Sequence, residues 1–319
     1  MSRSGLSEAY VRWADLEVRA SSPLYADWAL SIAADEQVLG LVLRLPGRKR
    51  QPNLVFAAAR AVGAPLGTFD VVRPWLLEHW AEVEEVALAR STQTNEAARC
   101  AVLLPVLSRL EGPLALLEVG ASAGLCLYPD RYSYRYATPD GPVVLDPADG
   151  PSSVRIDCVV DGSTLVPASL PRVTWRAGLD LNPLDVTDPD DVAWLRTLVW
   201  PEHDERRARL DAACALVAAD PPHVVRGDLL EDLDALVRQA PRDAHLVVFH
   251  GHVLVYLDPA DRQRFVDRMG ALDGTWVANE GARVLEFSAD LPDDGRTVLS
   301  VDGVPVARTH PHGAAITRL

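Results

Sequence analysis

No stretch constrains this chain more than Leu114–Tyr128, LALLEVGASAGLCLY. An apolar run, Leu114–Leu117, leads into Glu118-Val119-Gly120, and the small residues Ala121-Ser122-Ala123-Gly124 follow before Leu125. The pattern reads as a buried strand, a tight turn and the first turn of a helix. With no bulky side chains in the way, such a turn brings backbone N–H groups close to a ligand. An acid at the strand end accepts hydrogen bonds from a hydroxyl or an ammonium group. The spacing Glu-x-Gly-x-x-x-Gly is not the Gly-x-Gly-x-x-Gly dinucleotide fingerprint, because Ser122 stands where that pattern has its second glycine. It is not a phosphate-binding P-loop either, which ends in Gly-Lys-Ser/Thr. A plain strand-to-helix turn of any α/β protein gives a similar string.

Length permits one large α/β domain with a helical appendage in 319 residues. The net charge of -14, with no basic stretch beyond Arg48-Lys49-Arg50, disfavours a nucleic-acid partner. Cys100, Cys126, Cys158 and Cys214 show no Cys-x-x-Cys spacing, so neither a zinc site nor a disulfide framework is expected. The N-terminal residues lack the apolar centre of a signal peptide, and no run of about 20 apolar residues offers a membrane span. The expected location is cytoplasmic.

Residues 1–92 read as helical. Tyr10, Trp13, Leu16 and Val18 recur at helical spacing; Pro23 opens a second helix, Asp35 caps a third, and Asn53 caps one from Leu54 to Val62. Phe69–Arg90 reads as one long amphipathic helix, and Ala97–Leu110 as a helix kinked or split by Pro105. From 131 to about 171 the period changes to two, as in Tyr132-Ser-Tyr134-Arg-Tyr136 and Val154-Arg-Ile156-Asp-Cys158, which reads as an antiparallel β insertion. Its tyrosines are either pocket walls or one face of a sheet. Strands ending at Asp180, Arg226, His250 and Asn279-Glu280 then alternate with helices, among them one capped by Asp188. Antiparallel strands occupy about 285–319.

Three sites fall at the carboxyl ends of expected parallel strands, the rim where open sheets bind ligands. The first is Glu118 with Gly120, Ala121, Ser122 and Gly124; the second is Asp180 with Leu181 and Asn182; the third is Gly227 with Asp228 and Leu229. An acid at the second position suits both hydroxyls of a ribose, and one at the third suits an exocyclic adenine amine. Order and residue types resemble the S-adenosylmethionine (SAM) site of class I methyltransferases. The interval from Glu118 to Asp180 exceeds the usual unit of about 20 residues, and the β insertion must account for the excess.

Longer segments carry a second resemblance. Gln93-Thr-Asn-Glu-Ala-Ala-Arg99-Cys, LLEVGASAGL, Asp130-Arg131-Tyr132, GLDLNPLDVTDPDDVAWLRTLVWPE, GDLLEDL, VVFHGHVLVYLDP and Pro311-His312-Gly313 resemble a bacterial domain-of-unknown-function family with a class I methyltransferase-like core. The resemblance covers nearly the full length and implies a SAM-type Rossmann fold, but no particular substrate. Many members have Asn where this chain has Cys126, and a thiol is the poorer hydrogen-bond donor.

The expected fold is therefore α/β, a Rossmann-like class I methyltransferase core over 93–319 with an N-terminal helical cap over 1–92 and a β insertion after the first strand-helix unit. Methyl transfer from a sulfonium requires donor and acceptor held in line with water excluded. An oxygen or nitrogen acceptor can also require a general base, for which His250 and then His252 are the candidates, since they follow a core strand to the rim. Gln93, Asn95 and Arg99 precede the opening strand and would cover the methionine end of SAM, with Arg99 on its carboxylate. Asp130, Arg131 and Tyr132 either border the acceptor site or form an internal salt-bridged turn. His310 and His312 lack nearby acids, so no metal is expected. The expected function is methylation of a small molecule with SAM as donor and the cap as lid. The alternatives are a SAM-consuming lyase or cyclase with no methyl acceptor, and a non-catalytic SAM-binding protein. An exposed apolar face on the cap would favour a homo-oligomer.

Overall fold

The computed structural model describes residues 2–162 and 165–319. Helices α1 (Arg3–Trp13), α2 (Pro23–Ala34), α3 (Glu36–Val42), α4 (Pro52–Val62), α5 (Phe69–Glu78) and α6 (Trp80–Ala89) come first. Next, α7 (Cys100–Leu107) leads into β1 (Leu114–Val119). Strands β2 (Ser133–Thr138), β3 (Gly141–Leu145) and β4 (Arg155–Asp161) precede β5 (Val173–Asp180). Helices α8 (Pro189–Leu198) and α9 (Asp204–Ala218) lead to β6 (His223–Arg226), α10 (Leu233–Val237) to β7 (His245–Gly251), and α11 (Pro259–Gly270) to β8 (Thr275–Gly281). Strands β9 (Thr297–Val301), β10 (Val304–Thr309) and β11 (Ala315–Arg318) complete the order. No helix among the described residues is long and apolar enough to cross a membrane.

The chain forms two compact units, Met1–Thr94 with Asp188–Ala208, and Asn95–Thr187 with Arg209–Leu319. The first is helical. Ser22 caps α2 through the Tyr25 amide, with Pro23 preset for the first turn. Tyr25, Trp28 and Phe56 are buried together, Tyr25 and Phe56 with ring centroids 5.0 Å apart. Segment 188–208 belongs to this unit rather than to the sheet. Arg60 on α4 donates to the Thr197 and Val199 carbonyls at 2.8 and 2.7 Å, and Trp194 Nε1 donates to Ser91 O at 3.0 Å. The single helix expected over 69–90 is broken at His79, whose ψ of 16° leaves the helical range.

The second unit holds an eleven-stranded sheet in the order β3-β2-β4-β11-β10-β9-β8-β7-β1-β5-β6. Its parallel part is β6-β5-β1-β7-β8. Leu114–Leu117 of β1 are fully buried, as a strand covered on both faces must be. From β1 the chain builds outward through β5 and β6, then returns to β7 on the other side. Strand order thus reverses between β1 and β7, which is where open sheets place their ligands.

Two expectations about the interval after β1 are corrected. No helix follows the turn, only a 3-10 turn at Leu125–Leu127. Pro129 disfavours helical backbone at Tyr128 and sends the chain outward. The insertion is not simply antiparallel. Only β2 and β3 pair that way, while β4 lies parallel to β2 and to β11, so the insertion extends the central sheet. Tyr132, Tyr134 and Tyr136 line its buried face, and their hydroxyls donate to the carbonyls of Leu125, Pro129 and Ala101. They are sheet residues, not pocket walls.

The loop between β10 and β11 packs on the turn that starts α7. Gly313 has φ +81°, and a Cβ there would stand 2.0 Å from the Ala98 carbonyl oxygen. Gly313→Ala is therefore expected to cost about 3 kcal/mol through backbone strain and overlap. Scanning calorimetry should show a fall in Tm of roughly 5–10 °C; an unchanged Tm would mean that the loop yields freely.

Candidate functional site at the sheet rim

Residues 120–124 leave β1 in an unusual backbone path, with positive φ at Gly120, Ser122 and Gly124. Every amide from 120 to 124 is satisfied within the protein. Gly120 N and Ala121 N donate to Leu179 O at 2.7 and 3.3 Å, and Gly124 N donates to Ala121 O at 2.7 Å. Ser122 N donates to Asp180 Oδ2 at 2.8 Å and Ala123 N to Asn95 Oδ1 at 2.9 Å, while Asn95 Nδ2 donates to Ser122 Oγ at 2.6 Å. The turn therefore offers no N–H cradle to a ligand, contrary to the expectation from its small residues. A Cβ on Gly120 would lie 2.3 Å from Val253 Cγ2, so Val253 already fills the space that this glycine leaves.

The three expected acids do stand at the ends of neighbouring parallel strands β1, β5 and β6. Asp180 takes one amide on each oxygen, Ser122 N and Asn182 N at 2.8 and 2.7 Å. Each oxygen keeps a second lone pair for a ligand. Gly227 N donates to Asp180 O at 3.0 Å, which brings the second and third sites together. Asp228 Oδ1 accepts from Leu230 N at 2.7 Å as a turn residue. Asn182 Oδ1 accepts from Arg226, and the Leu229 carbonyl accepts from Arg268, so both are built into the framework. Leu181 is 69% exposed beside Asp180, an apolar surface at the rim.

Glu118 differs from its neighbours. Its Oε2 is closed to solvent and has no hydrogen-bond partner. Burial pushes its carboxyl well above the usual range, the fields of Cys126 and Asp180 push it further, and Arg99 pulls it back. Arg99 Nε donates to the Pro311 carbonyl at 3.0 Å, and the same carbonyl acts on the His252 ring. His252 has φ 59°, and its Nε2 is buried without a partner. Burial and then Arg99 lower its pKa to about 4. Glu118, Arg99, Cys126 and His252 thus form one electrostatic cluster at the β1–β7 switch point. The cluster carries one strong cation, one acid whose surroundings favour its neutral form and one imidazole held neutral.

His250 does not reach the rim. It is 1% exposed, its Nδ1 donates to Glu280 Oε1 at 2.8 Å, and Trp276 Nε1 donates to its Nε2 at 3.0 Å. Because indole N–H only donates, Nε2 must be the unprotonated nitrogen and the ring neutral. Both nitrogens are occupied, so the expected general base is a core residue. Burial works against the charge of Glu280, yet hydrogen bonds from His250, Val253 N and Leu254 N outweigh it and hold its pKa low. Glu280 was visible in the sequence only as a strand-end acid; its role in shaping the loop after β7 follows from the register of β7 with β8.

Asp130, Arg131 and Tyr132 form the internal turn rather than an acceptor site. Asp130 pairs with Arg176 at 2.7 Å, Arg131 reaches Asp220 at 3.7 Å, and Tyr132 is fully buried. Gln93 falls in the helical unit, whereas Asn95 and Arg99 fall with the sheet. Glu96 was not singled out; it is buried and pairs with Arg209 at 2.9 Å, supporting the turn that carries Arg99. The one sequence signal for the Pro311 contact is the Pro-His-Gly string, whose glycine supplies the left-handed residue.

A family profile described as "Uncharacterized protein conserved in bacteria (DUF2332)" matches residues 7–66 and 63–318. No curated protein and no solved structure matches the chain.

The buried imidazole has a measurable consequence. Between the ordinary histidine pKa of 6.5 and the folded value of about 4, the unfolded chain binds more protons at residue 252 than the native chain does. Stability is thus fully present above about pH 6.5 and lost progressively towards pH 4, by roughly 3 kcal/mol at most. His252→Asn, which tolerates positive φ, should flatten this part of the profile in urea titrations across that range. Parallel profiles for variant and wild type would remove His252 from the account.

Proposed function

The chain belongs to the DUF2332 family of bacterial proteins, and we propose that its rim binds S-adenosylmethionine and methylates a small molecule. One observation carries the reading: Glu118, Asp180 and Asp228 stand at or just past the carboxyl ends of three adjacent parallel strands, beginning at the β1–β7 reversal of strand order. The parallel segment β6-β5-β1-β7-β8 would be the Rossmann-like class I core, extended on one side by β9–β11 and the insertion. The residues present suit this cofactor. A dinucleotide pyrophosphate draws on free backbone amides, and here those amides are used. SAM has no phosphate; when bound it supplies an electrophilic methyl group on a sulfonium.

Asp180 would accept the ribose hydroxyls with its remaining lone pairs, Asp228 an adenine amine, and Leu181 would lie against the base. The Glu118 carboxyl, which takes no protein donor and is half-buried, would accept from the ammonium group on its solvent side. The terminal nitrogens of Arg99 would hold the neighbouring carboxylate, since Nε is already given to Pro311. His250 is enclosed, and His252, at about 4, is a weak base. The acceptor atom is therefore one that attacks without prior removal of a tightly held proton, such as a neutral amine, a thiolate or a carboxylate.

Calorimetric titration with SAM and with S-adenosylhomocysteine tests this directly. Micromolar binding is expected. Leu181→Asp, at an exposed position, should weaken it at least ~10-fold, about 1.4 kcal/mol, with Tm unchanged. Absence of binding to either ligand would reduce the three strand-end acids to features of the fold.

A further inference from the structure

Among the described residues, the carboxylates in and around the rim take donors on at least one oxygen, Glu118 excepted. Glu96 accepts from Arg209 Nε at 2.9 Å and Ala98 N at 3.1 Å. Asp130 accepts from Arg176 at 2.7 Å, and Asp180 from two amides at 2.8 and 2.7 Å. Glu280 Oε1 takes His250, Val253 N and Leu254 N within 3.1 Å. Asp130 Oδ1 and Glu280 Oε2 are as closed and donor-free as Glu118 Oε2, but of these three only Glu118 takes no protein donor on its other oxygen either. Glu118 is half-buried, and a carboxylate with no protein donor and one oxygen shut from water is pushed towards its protonated form.

The surroundings of Glu118 agree from each side. Its register neighbours are Gly178 on β5 and Phe249 on β7, neither of which ionises. From the end of β5, Asp180 presents a like charge; from the 3-10 turn, the Cys126 thiol is buried; beyond β7, His252 is uncharged. Among the described residues, Arg99 is the cation that acts on Glu118, and its Nε is committed to Pro311 O.

We propose that Glu118 is the proton-exchange residue of the rim: it stands as a neutral carboxylic acid and releases its proton to solvent when a cationic group of the ligand takes the place beside the carboxyl on its solvent side. The identity of that cation, the ammonium group of SAM or S-adenosylhomocysteine, rests on the reading of the rim given above. The exchange balances in charge, one positive group entering and one proton leaving, so the buried cluster keeps its net charge. It also makes Glu118 a specificity-determining residue. A ligand lacking the cation leaves the acid protonated and gains no ion pair. Affinity for a cationic ligand should rise ~10-fold per pH unit while Glu118 remains protonated, and level off above its pKa.

Two measurements decide the matter on the intact chain. Infrared difference spectra of ligand-free wild type against Glu118→Gln, at neutral pH, should show the carbonyl band of a protonated carboxyl in the wild type alone. Gln reproduces the shape of the neutral acid and needs no proton uptake on folding, so the variant should fold with a Tm at or above that of the wild type at neutral pH. As pH rises from the ordinary carboxyl range towards the raised pKa of Glu118, the wild type should lose stability relative to the variant, and the difference should level off above that pKa. Calorimetry with S-adenosylhomocysteine in two buffers of different ionisation enthalpy should show about one proton released per ligand, and none with Glu118→Gln. No acid band, or binding with the same proton count in both proteins, would overturn the proposal. An acid band with no binding of S-adenosylhomocysteine would overturn the SAM reading and the cation exchange with it, while leaving Glu118 a neutral buried acid.

Discussion

The turn after β1 is held by two side chains from distant parts of the chain. Asp180 takes the Ser122 amide, and Asn95 takes the Ala123 amide while donating to Ser122 Oγ. Left-handed backbone at a serine costs about 1–2 kcal/mol, and a hydrogen bond to a charged acceptor contributes about 1.5–3 kcal/mol. Asp180 reaches the turn only when β5 lies beside β1, where Leu179 O also receives the Gly120 and Ala121 amides. The rim is thus a product of strand pairing rather than of a local motif. This is also why a turn that looks like a ligand cradle has no amides left to offer.

That long-range closure explains which features can be read from the residues alone. The strands β1, β5, β7 and β8 announce themselves as apolar runs, and their carboxyl ends are marked by the polar residues that follow. Partners across the sheet leave no such mark. The parallel pairing of β4 rests on β11, near the other end of the chain. His250 ends an apolar strand, as a rim histidine would. Its enclosure depends on Trp276 and Glu280 of β8, set opposite by strand register. The helical pattern of 188–200 is plain in sequence, but its membership of the helical unit depends on Arg60 and its carbonyl contacts. Pro129 was a local signal against a helix after the turn, and the apolar Leu125-Cys126-Leu127 masked it.

Three acids in equivalent places at neighbouring strand ends have three different chemistries, because each neighbourhood supplies a different number of donors. Asp180 has one amide per oxygen and can accept more without losing its hold on the turn. Asp228 is a turn cap with solvent nearby. Glu118 has an oxygen with neither donor nor water. With Glu118 neutral as proposed and His252 uncharged, Arg99 is the charged member of the β1–β7 cluster. In the proposed complex, a zwitterionic ligand group would bring its carboxylate to Arg99 and its cation to Glu118, so that the carboxylate offsets the repulsion Arg99 exerts on the entering cation.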